Sequence, residues 1–328
     1  MSFFKKNKKT VFIILINILF PVLFFLLLEL IIRFSYPGIQ PAGTDKNLFV
    51  ENKYFTSMGL KPNSEGLSNG KTIHVDEYGF RKNSTPPSQK KRSRLFFGDS
   101  VTLGIGVDDD STFSARIQER NSDFNVINCS LIGYDIYDYQ NLTDYFITGK
   151  SGFQVESITV FWCLNDIYGK SVNSVELPGG NTGNYFGEIL NFLRTQSRLF
   201  LFAKKLFADR PKSYYEFDRS FYQDSAKLDS TVSGIQKMDL LCKSQNISFN
   251  IIFLPYEFQL RSDYSDSPTP QQTLIGRLEK MNIKSTDLLP FFAERNESSE
   301  KFFLYGDGIH FSNYGHFLVS EFLSERAF

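Results

Sequence analysis

Apolar positions along this chain fall into three kinds of run. The longest covers residues 11–32, VFIILINILFPVLFFLLLELII, and is interrupted only by Asn17, Pro21 and Glu29. Four shorter runs stop abruptly at turn residues: 95–97 at Gly98-Asp99-Ser100, 124–130 ahead of Gly133, 157–163 at Asn165-Asp166, and 247–254 at Pro255. A short apolar run bounded by turn signals reads as a strand buried on both faces. The third kind of run has helical period. Ser111 reads as the N-cap of a helix over 112–120, and Asp138 as the cap of one running through Tyr145. Further helices are predicted over 188–207, 230–244, 271–281 and 313–325. The first three strand ends fall near positions 99, 130 and 163, one βαβ unit of about 30 residues apart each time. Alternating strands and helices of this kind imply an α/β fold with a central parallel sheet. Ser100, Gly133 and Asn165 then stand side by side along the sheet edge where open α/β sheets place their ligands.

The long run has a different meaning. At 1.5 Å per residue it extends about 33 Å, enough for a hydrocarbon core of about 30 Å. Lys5, Lys6, Lys8 and Lys9 precede it, and only Arg33 follows closely. The asymmetry places the N-terminus in the cytoplasm and the remainder outside, with 11–32 as an uncleaved anchor. The organisation read from the pattern is a basic tail over 1–10, an anchor over 11–32, a stalk over 33–92 and one globular domain over 93–328. Pro37, Pro41, Gly43, Pro62, Gly66 and Gly70 punctuate the stalk. Within it, 71–75 is a small strand leading into Asp76-Glu77-Tyr78-Gly79-Phe80-Arg81, and 84–94 is a solvated linker.

Composition narrows the chemistry. With 36 basic and 36 acidic residues the chain carries no field that would attract nucleic acid. Cys129, Cys163 and Cys242 show neither metal-ligand spacing nor an even count for pairing, and two of them lie on core strands as small hydrophobes. No disulfide framework, metal or organic cofactor is called for. Three histidines leave few choices for an acid–base group. His74 lies in the strand-like part of the stalk and His316 on the last helix, and both read as structural. His310 alone follows an aspartate, Asp307, by three residues, a spacing that lets one side chain reach the other across a turn.

Taken together, Gly98-Asp99-Ser100, Gly133, Asn165-Asp166 and Asp307-x-x-His310 resemble, in order and spacing, the four blocks of the SGNH (GDSL-type) hydrolases. The resemblance covers residues 93–326. Membrane-anchored members are similar also in a Gly-Phe-Arg element ahead of the serine, here Gly79-Phe80-Arg81. The resemblance implies a three-layer, flavodoxin-like α/β/α domain, with Ser100 as nucleophile, His310 as base and Asp307 as the carboxylate that orients it. It implies an oxyanion hole from the Ser100 amide, the Gly133 amide and the Asn165 side chain, with Asp99 and Asp166 bracing their own loops. Cys163 stands where the family's asparagine block usually has glycine, and Val101 where leucine often follows the serine. Neither position supplies a catalytic atom.

The implied activity is that of an extracytoplasmic serine esterase that removes or transfers short O-acyl groups, on carbohydrate by family preference. An O-acyltransferase acting on envelope polysaccharide, a lipase or thioesterase, and a non-catalytic glycan-binding scaffold are the other readings of the same fold. A metallophosphoesterase would need more histidine and carboxylate ligands than these blocks supply. The loop-like segment 165–185 begins at the active edge and reads as a substrate-facing insertion. The helix over 188–207, with Lys204, Lys205 and Arg210 among aromatics at its end, reads as packed on the domain, with a basic helix lying on a membrane or lipid substrate as its alternative.

Overall fold

The computed structural model describes residues 2–51, 58–83, 85–149, 151–169 and 185–326. In chain order, helix α1 (Ser2–Ser35) is followed by two antiparallel hairpins, β1 (Phe49–Glu51) with β2 (Met58–Leu60) and β3 (Glu65–Ser68) with β4 (Lys71–His74). Next come β5 (Arg92–Gly98), α2 (Ser100–Leu103), α3 (Phe113–Arg120), β6 (Asn125–Asn128), α4 (Ile136–Ile147) and β7 (Gln154–Trp162). Four helices follow, α5 (Tyr185–Gln196), α6 (Arg198–Phe207), α7 (Arg210–Ser220) and α8 (Ser225–Ser244). The chain ends with β8 (Ser248–Phe253), α9 (Pro270–Glu279), β9 (Ser285–Asp287), α10 (Leu289–Ala293) and α11 (Asn313–Glu325). These elements form two compact units, one of residues 1–41 and 181–208, the other of residues 42–180 and 209–328.

In the first unit, Lys9–Ser35 is long and apolar enough to cross a membrane by length and composition, and its most apolar stretch is nowhere buried within the chain. Glu29, which interrupts that stretch, has a defined task. Its carboxylate accepts hydrogen bonds from the Arg198 and Leu199 amides, both at 2.9 Å, and from the Ser197 hydroxyl at 2.8 Å. It thereby satisfies the free N–H groups at the start of α6. The single helix expected over 188–207 is accordingly two, broken at Ser197, which adopts extended backbone and caps α6 by accepting from the Phe200 amide. Serine competes for backbone hydrogen bonds in this way wherever a helix can be interrupted.

In the second unit the five long-range strands make one parallel sheet in the order β6-β5-β7-β8-β9. Numbered by first appearance this is the 2-1-3-4-5 order of flavodoxin-like sheets, whose ligand crevice lies where the winding reverses, between β5 and β7. Each central strand is buried because helices cover both faces. Phe96 packs against Phe113 of α3 and Phe161, while its neighbour Phe97 points to the other face against Tyr139 and Phe146 of α4. α11 lies beside α3, and α8 beside α4, completing the three layers. Each such aromatic, fully buried, stabilises the unit by about 1.5–3 kcal/mol.

Several boundaries differ from expectation for local reasons. Thr112, not Ser111, caps α3 by accepting from the Ala115 amide, because Ser111 is already in a 3-10 turn over Asp109–Ser111. Asp135, not Asp138, caps α4. Asp138 is the third helical residue and returns a bond to the Asp135 amide, so the two form a capping box. α8 starts at Ser225, ahead of the predicted 230, under the cap of Asp224.

Residues 42–92 do not stand apart as a stalk. Leu48, Leu60, Ile73 and Val75 join the core of the second unit, and the Asn125 side chain ties down Ser88 in the supposed linker. Arg81 is the firmest tie. Its buried guanidinium donates to the carbonyls of Leu103, Gly104 and Val107 and to the Asp109 carboxylate, spanning the backbone just after α2. Loss of one partner of a buried charged pair costs about 3–5 kcal/mol. Arg81→Met should therefore lower the unfolding free energy by about that amount, measured by denaturant titration of the full chain in detergent micelles. A loss below about 1 kcal/mol would show that this tie is dispensable.

Candidate active site

The ends of β5, β6 and β7 are brought level by the register of the sheet, in which Phe96 lies opposite Asn128 and Gly98 opposite Phe161. Ser100 follows β5 as the first residue of α2. The Asp99 carboxylate caps that helix by accepting from the Val101 amide at 2.8 Å. The first amides of a helix have no partner within it, so the Ser100 N–H faces outward beside its own hydroxyl.

Asp307 and His310 come from a tight loop between α10 and α11. The loop is closed by a bond from the Leu304 amide to the His310 carbonyl (2.8 Å) and by bridge pairing of Phe303 with Phe311. Within it a single oxygen of Asp307 accepts from the Ile309 and His310 amides, at 3.0 and 2.8 Å, and from His310 Nδ1 at 2.7 Å. His310 Nε2 is then directed at Ser100 Oγ, 2.8 Å away. The Asp99 carboxylate also lies near this hydroxyl, but at 3.5 Å it is the weaker acceptor, so the serine proton belongs with the histidine. Ser100, His310 and Asp307 are therefore joined in one hydrogen-bonded line, assembled across 210 residues of sequence.

The remaining predicted residues converge on the same place. Ser100, Gly133, Asn165, Asp307 and His310 all line one cavity of about 430 Å³. Gly133 has φ +79°, and a side chain there would point into open space, so glycine is required by backbone conformation and not by crowding. Its amide donates to no acceptor among the described residues. Asn165 sits in a short 3-10 turn after β7, and its Nδ2 donates to Asp99 at 3.1 Å. That bond uses one of the two amide hydrogens and leaves the other for the cavity. Its Oδ1 faces the Tyr256 hydroxyl at 3.4 Å, which itself donates to buried Asp218 at 2.6 Å. Asp166 braces the turn by accepting from the Cys163 amide, and Cys163 is a buried thiol that burial pushes well above its ordinary pKa.

Sequence reading did not find Asp218, Tyr256, Tyr168, Arg210 or Tyr214, all within or next to this cavity. None carries a local motif. Asn165 and Tyr256, for example, meet across 91 residues. Most of the segment read as a substrate-facing insertion, residues 170–184, lies outside the described residues. Among the described residues no group of three or more His, Cys, Asp or Glu side chains is arranged to hold a metal ion. His74 pairs with Asp109 and Glu65, and His316 packs tilted against Phe113 and edge-on to Phe311, and neither lines the cavity.

No family model and no curated protein matches this chain. Among solved structures it is similar to an acetyl xylan esterase, AlAXEase, at 15% identity over 72% of this chain and 100% of that one, with a TM-score of 0.45. It is similar also to an acetylxylan esterase from Geobacillus stearothermophilus, at 14% identity over 74% and 97% of the two chains, with a TM-score of 0.43. A member of the lipolytic protein G-D-S-L family from Veillonella parvula is 15% identical over 72% and 97%, with a TM-score of 0.41.

Electrostatics separate the two inner histidines. Burial would push His310 down, but the Asp307 carboxylate and its hydrogen bond outweigh burial and raise the imidazole above its ordinary value. Burial likewise opposes ionisation of Asp307, and the bonds from His310 overcome it, holding the carboxyl far below the usual range. His316, with no carboxylate beside it, is pushed down to about 3 by burial and by Arg81 and Arg116. NMR of the imidazole resonances should therefore show His310 gaining its proton above pH 6.5 and His316 staying neutral through pH 5. Asp307→Asn should move the His310 transition to lower pH, since burial and Arg210 push it down and Asp99 alone then raises it. An unmoved transition in that variant would disprove the coupling.

Proposed function

We propose that this chain is a serine esterase of the SGNH type, anchored by residues 11–32 with its catalytic unit outside the cytoplasm. The observation that carries the proposal is the relay from Asp307 through both nitrogens of His310 to Ser100, at 2.7 and 2.8 Å. A serine hydroxyl is a weak nucleophile until a base takes its proton, and a histidine fixed in one tautomer by a carboxylate is suited to that.

In the first half-reaction Ser100 Oγ attacks the ester carbonyl as its proton passes to His310 Nε2. The tetrahedral oxyanion is held by the amides of Ser100 and Gly133 and by the free Nδ2 hydrogen of Asn165. The intermediate collapses as His310 returns that proton to the departing alkoxide, leaving an acyl-serine and the free alcohol. Water then repeats the sequence: it loses a proton to His310, attacks the acyl carbonyl, and the carboxylic acid leaves as Ser100 regains its proton. The cavity suits a short acyl group on a compact alcohol, since it holds about 430 Å³ and is lined by Ile105, Ile132 and Ile309 together with Thr44, Asn165 and Tyr214. An anchored unit outside the cytoplasm meets envelope and exported carbohydrate, and short O-acyl groups on such glycans are the substrates we assign.

Full-length protein in detergent should hydrolyse 4-nitrophenyl acetate and react with a fluorophosphonate probe. Ser100→Ala should abolish both with an unchanged circular dichroism spectrum, and Asn165→Ala should lower kcat by about 10²–10³-fold as the loss of one oxyanion donor. Full activity in folded Ser100→Ala would end the proposal. Orientation is tested separately: alkaline phosphatase fused after Phe328 should be active, as it is only outside the cytoplasm, and an inactive fusion beside an active cytoplasmic reporter would reverse the topology.

A further inference from the structure

Besides His310, the cavity beside Ser100 is lined by four charged side chains, and three of them are already engaged. Asp307 is bonded to His310, Asp218 accepts from the hydroxyls of Tyr168 and Tyr256, and Asp135 caps α4. The fourth is Arg210, the first residue of α7. Its only hydrogen bond among the described residues goes to the hydroxyl of Tyr214 (2.7 Å), whose ring it also overlies at 5.1 Å. Among the described residues no carboxylate lies within ion-pair distance of it, although its charge acts on Asp307 and on His310. Even Asp209, adjacent in sequence, is taken by the Lys212 amide and by the guanidinium of Arg261.

The position of Arg210 is set firmly. Pro211 packs so closely on Gly308 that a side chain added there would come within 2.4 Å of it, which locks the first turn of α7 against the Asp307–His310 loop. A cation gains nothing from the N-terminal end of a helix, where the macrodipole favours negative charge, so helix stability does not account for this arginine. A planar guanidinium held against an aromatic ring, with donors left over and facing a cavity, is the arrangement that takes a carboxylate or phosphate by paired hydrogen bonds.

We propose that Arg210, steadied by Tyr214, is an anion subsite of this cavity, so that the preferred ester carries a carboxylate or phosphate on its alcohol part. The inference rests on the esterase reading and names the substrate class within it: an O-acylated acidic sugar or sugar phosphate, in preference to a neutral glycan. The guanidinium positions substrate and does not enter proton transfer.

The test compares kcat/KM of full-length protein in detergent for mono-O-acetyl glucose, mono-O-acetyl glucuronate and mono-O-acetyl glucose 6-phosphate. Charge-assisted bonds of this kind predict a preference of about 10- to 100-fold for an anionic ester over the neutral one. The two anionic arms decide between carboxylate and phosphate. Arg210→Gln should collapse the ratio, mainly through KM for the anionic ester, and Arg210→Lys should keep part of it. Arg210→Glu should invert the selectivity toward mono-O-acetyl glucosamine, a gain that a merely misfolded variant cannot show. Equal kcat/KM for all three sugars in active wild-type protein would overturn the subsite and leave the esterase standing. If no ester is turned over the esterase reading falls, and calorimetric binding of glucuronate or glucose 6-phosphate then decides the subsite. Binding lost in Arg210→Gln sustains it, and no binding overturns it.

Discussion

One buried guanidinium connects the parts of the catalytic unit that are far apart in sequence. Arg81 has almost no solvent exposure, and burial opposes its charge while Asp109 restores it. Its donors gather the carbonyls that follow α2, the short helix on which Ser100 stands, and its own strand segment bridges to Asn128 at the end of β6. A four-residue helix has too few internal bonds to hold its own shape in water. The backbone at Ser100 is therefore fixed from behind by Arg81, which follows β4. This is why residues 42–92 belong to the catalytic unit, however loose their composition makes them look.

A second constraint acts on Asn165. Its amide is oriented at both ends, with Nδ2 toward Asp99 and Oδ1 toward Tyr256. The Tyr256 hydroxyl has one proton and two acceptors in reach, Asp218 at 2.6 Å and Asn165 at 3.4 Å. The shorter contact wins while Asp218 is ionised. Burial pushes Asp218 up to about 6, with bonds from Tyr168 and Tyr256 opposing. Once protonated, Asp218 can donate to the phenol oxygen and release the Tyr256 proton to Asn165. The asparagine is thus held on one side by the Asp99 carboxylate and on the other by a phenol whose donor direction follows the state of Asp218.

How much of this could be read from the chain depended on whether the signal was local. Four strands of the sheet were visible because each is an apolar run closed by a turn. β9, Ser285–Asp287, was not, because three polar residues gain their place only by pairing with β8. The blocks carrying Ser100, Gly133, Asn165, Asp307 and His310 were readable because each is compact and sits at a strand end or turn, and all five line one cavity. Leu48 and Leu60 belong to no periodic run, and Ile73 and Val75 alternate only within the short stretch 71–75, so their place in the core was invisible until the hairpins docked. Arg210, Asp218 and Tyr256 became visible only when α7 and the end of β8 met at the cavity. Caps were misplaced by one to three residues because neighbouring Ser, Thr and Asp residues compete for the same amides, and only the fold decides which one wins.

The serine turn is crowded with carboxylates, and under the proposed reaction that crowding would oppose the negative charge formed there. Asp99, Asp166, Asp218 and Asp307 all act on this region, and each ionised carboxylate opposes an oxyanion. The structure limits the cost in different ways. Asp307 keeps its charge, but His310 becomes cationic at the moment the oxyanion forms, so that pair is neutral when neutrality matters. Asp99 spends its lone pairs on the Val101 and Asn165 amides. Asp166 and Asp218 are driven toward their neutral forms, by burial first and by Asp99 after it. Arg210 then stands as the only cation lining the described cavity that is charged at every stage of the reaction. A substrate anion bound there would cancel part of the help Arg210 gives the oxyanion, so binding and catalysis draw on the same charge. The balance is favourable only if the anion sits on the far side of the guanidinium from Ser100, where distance and solvent weaken its repulsion of the oxyanion more than they weaken the paired hydrogen bonds.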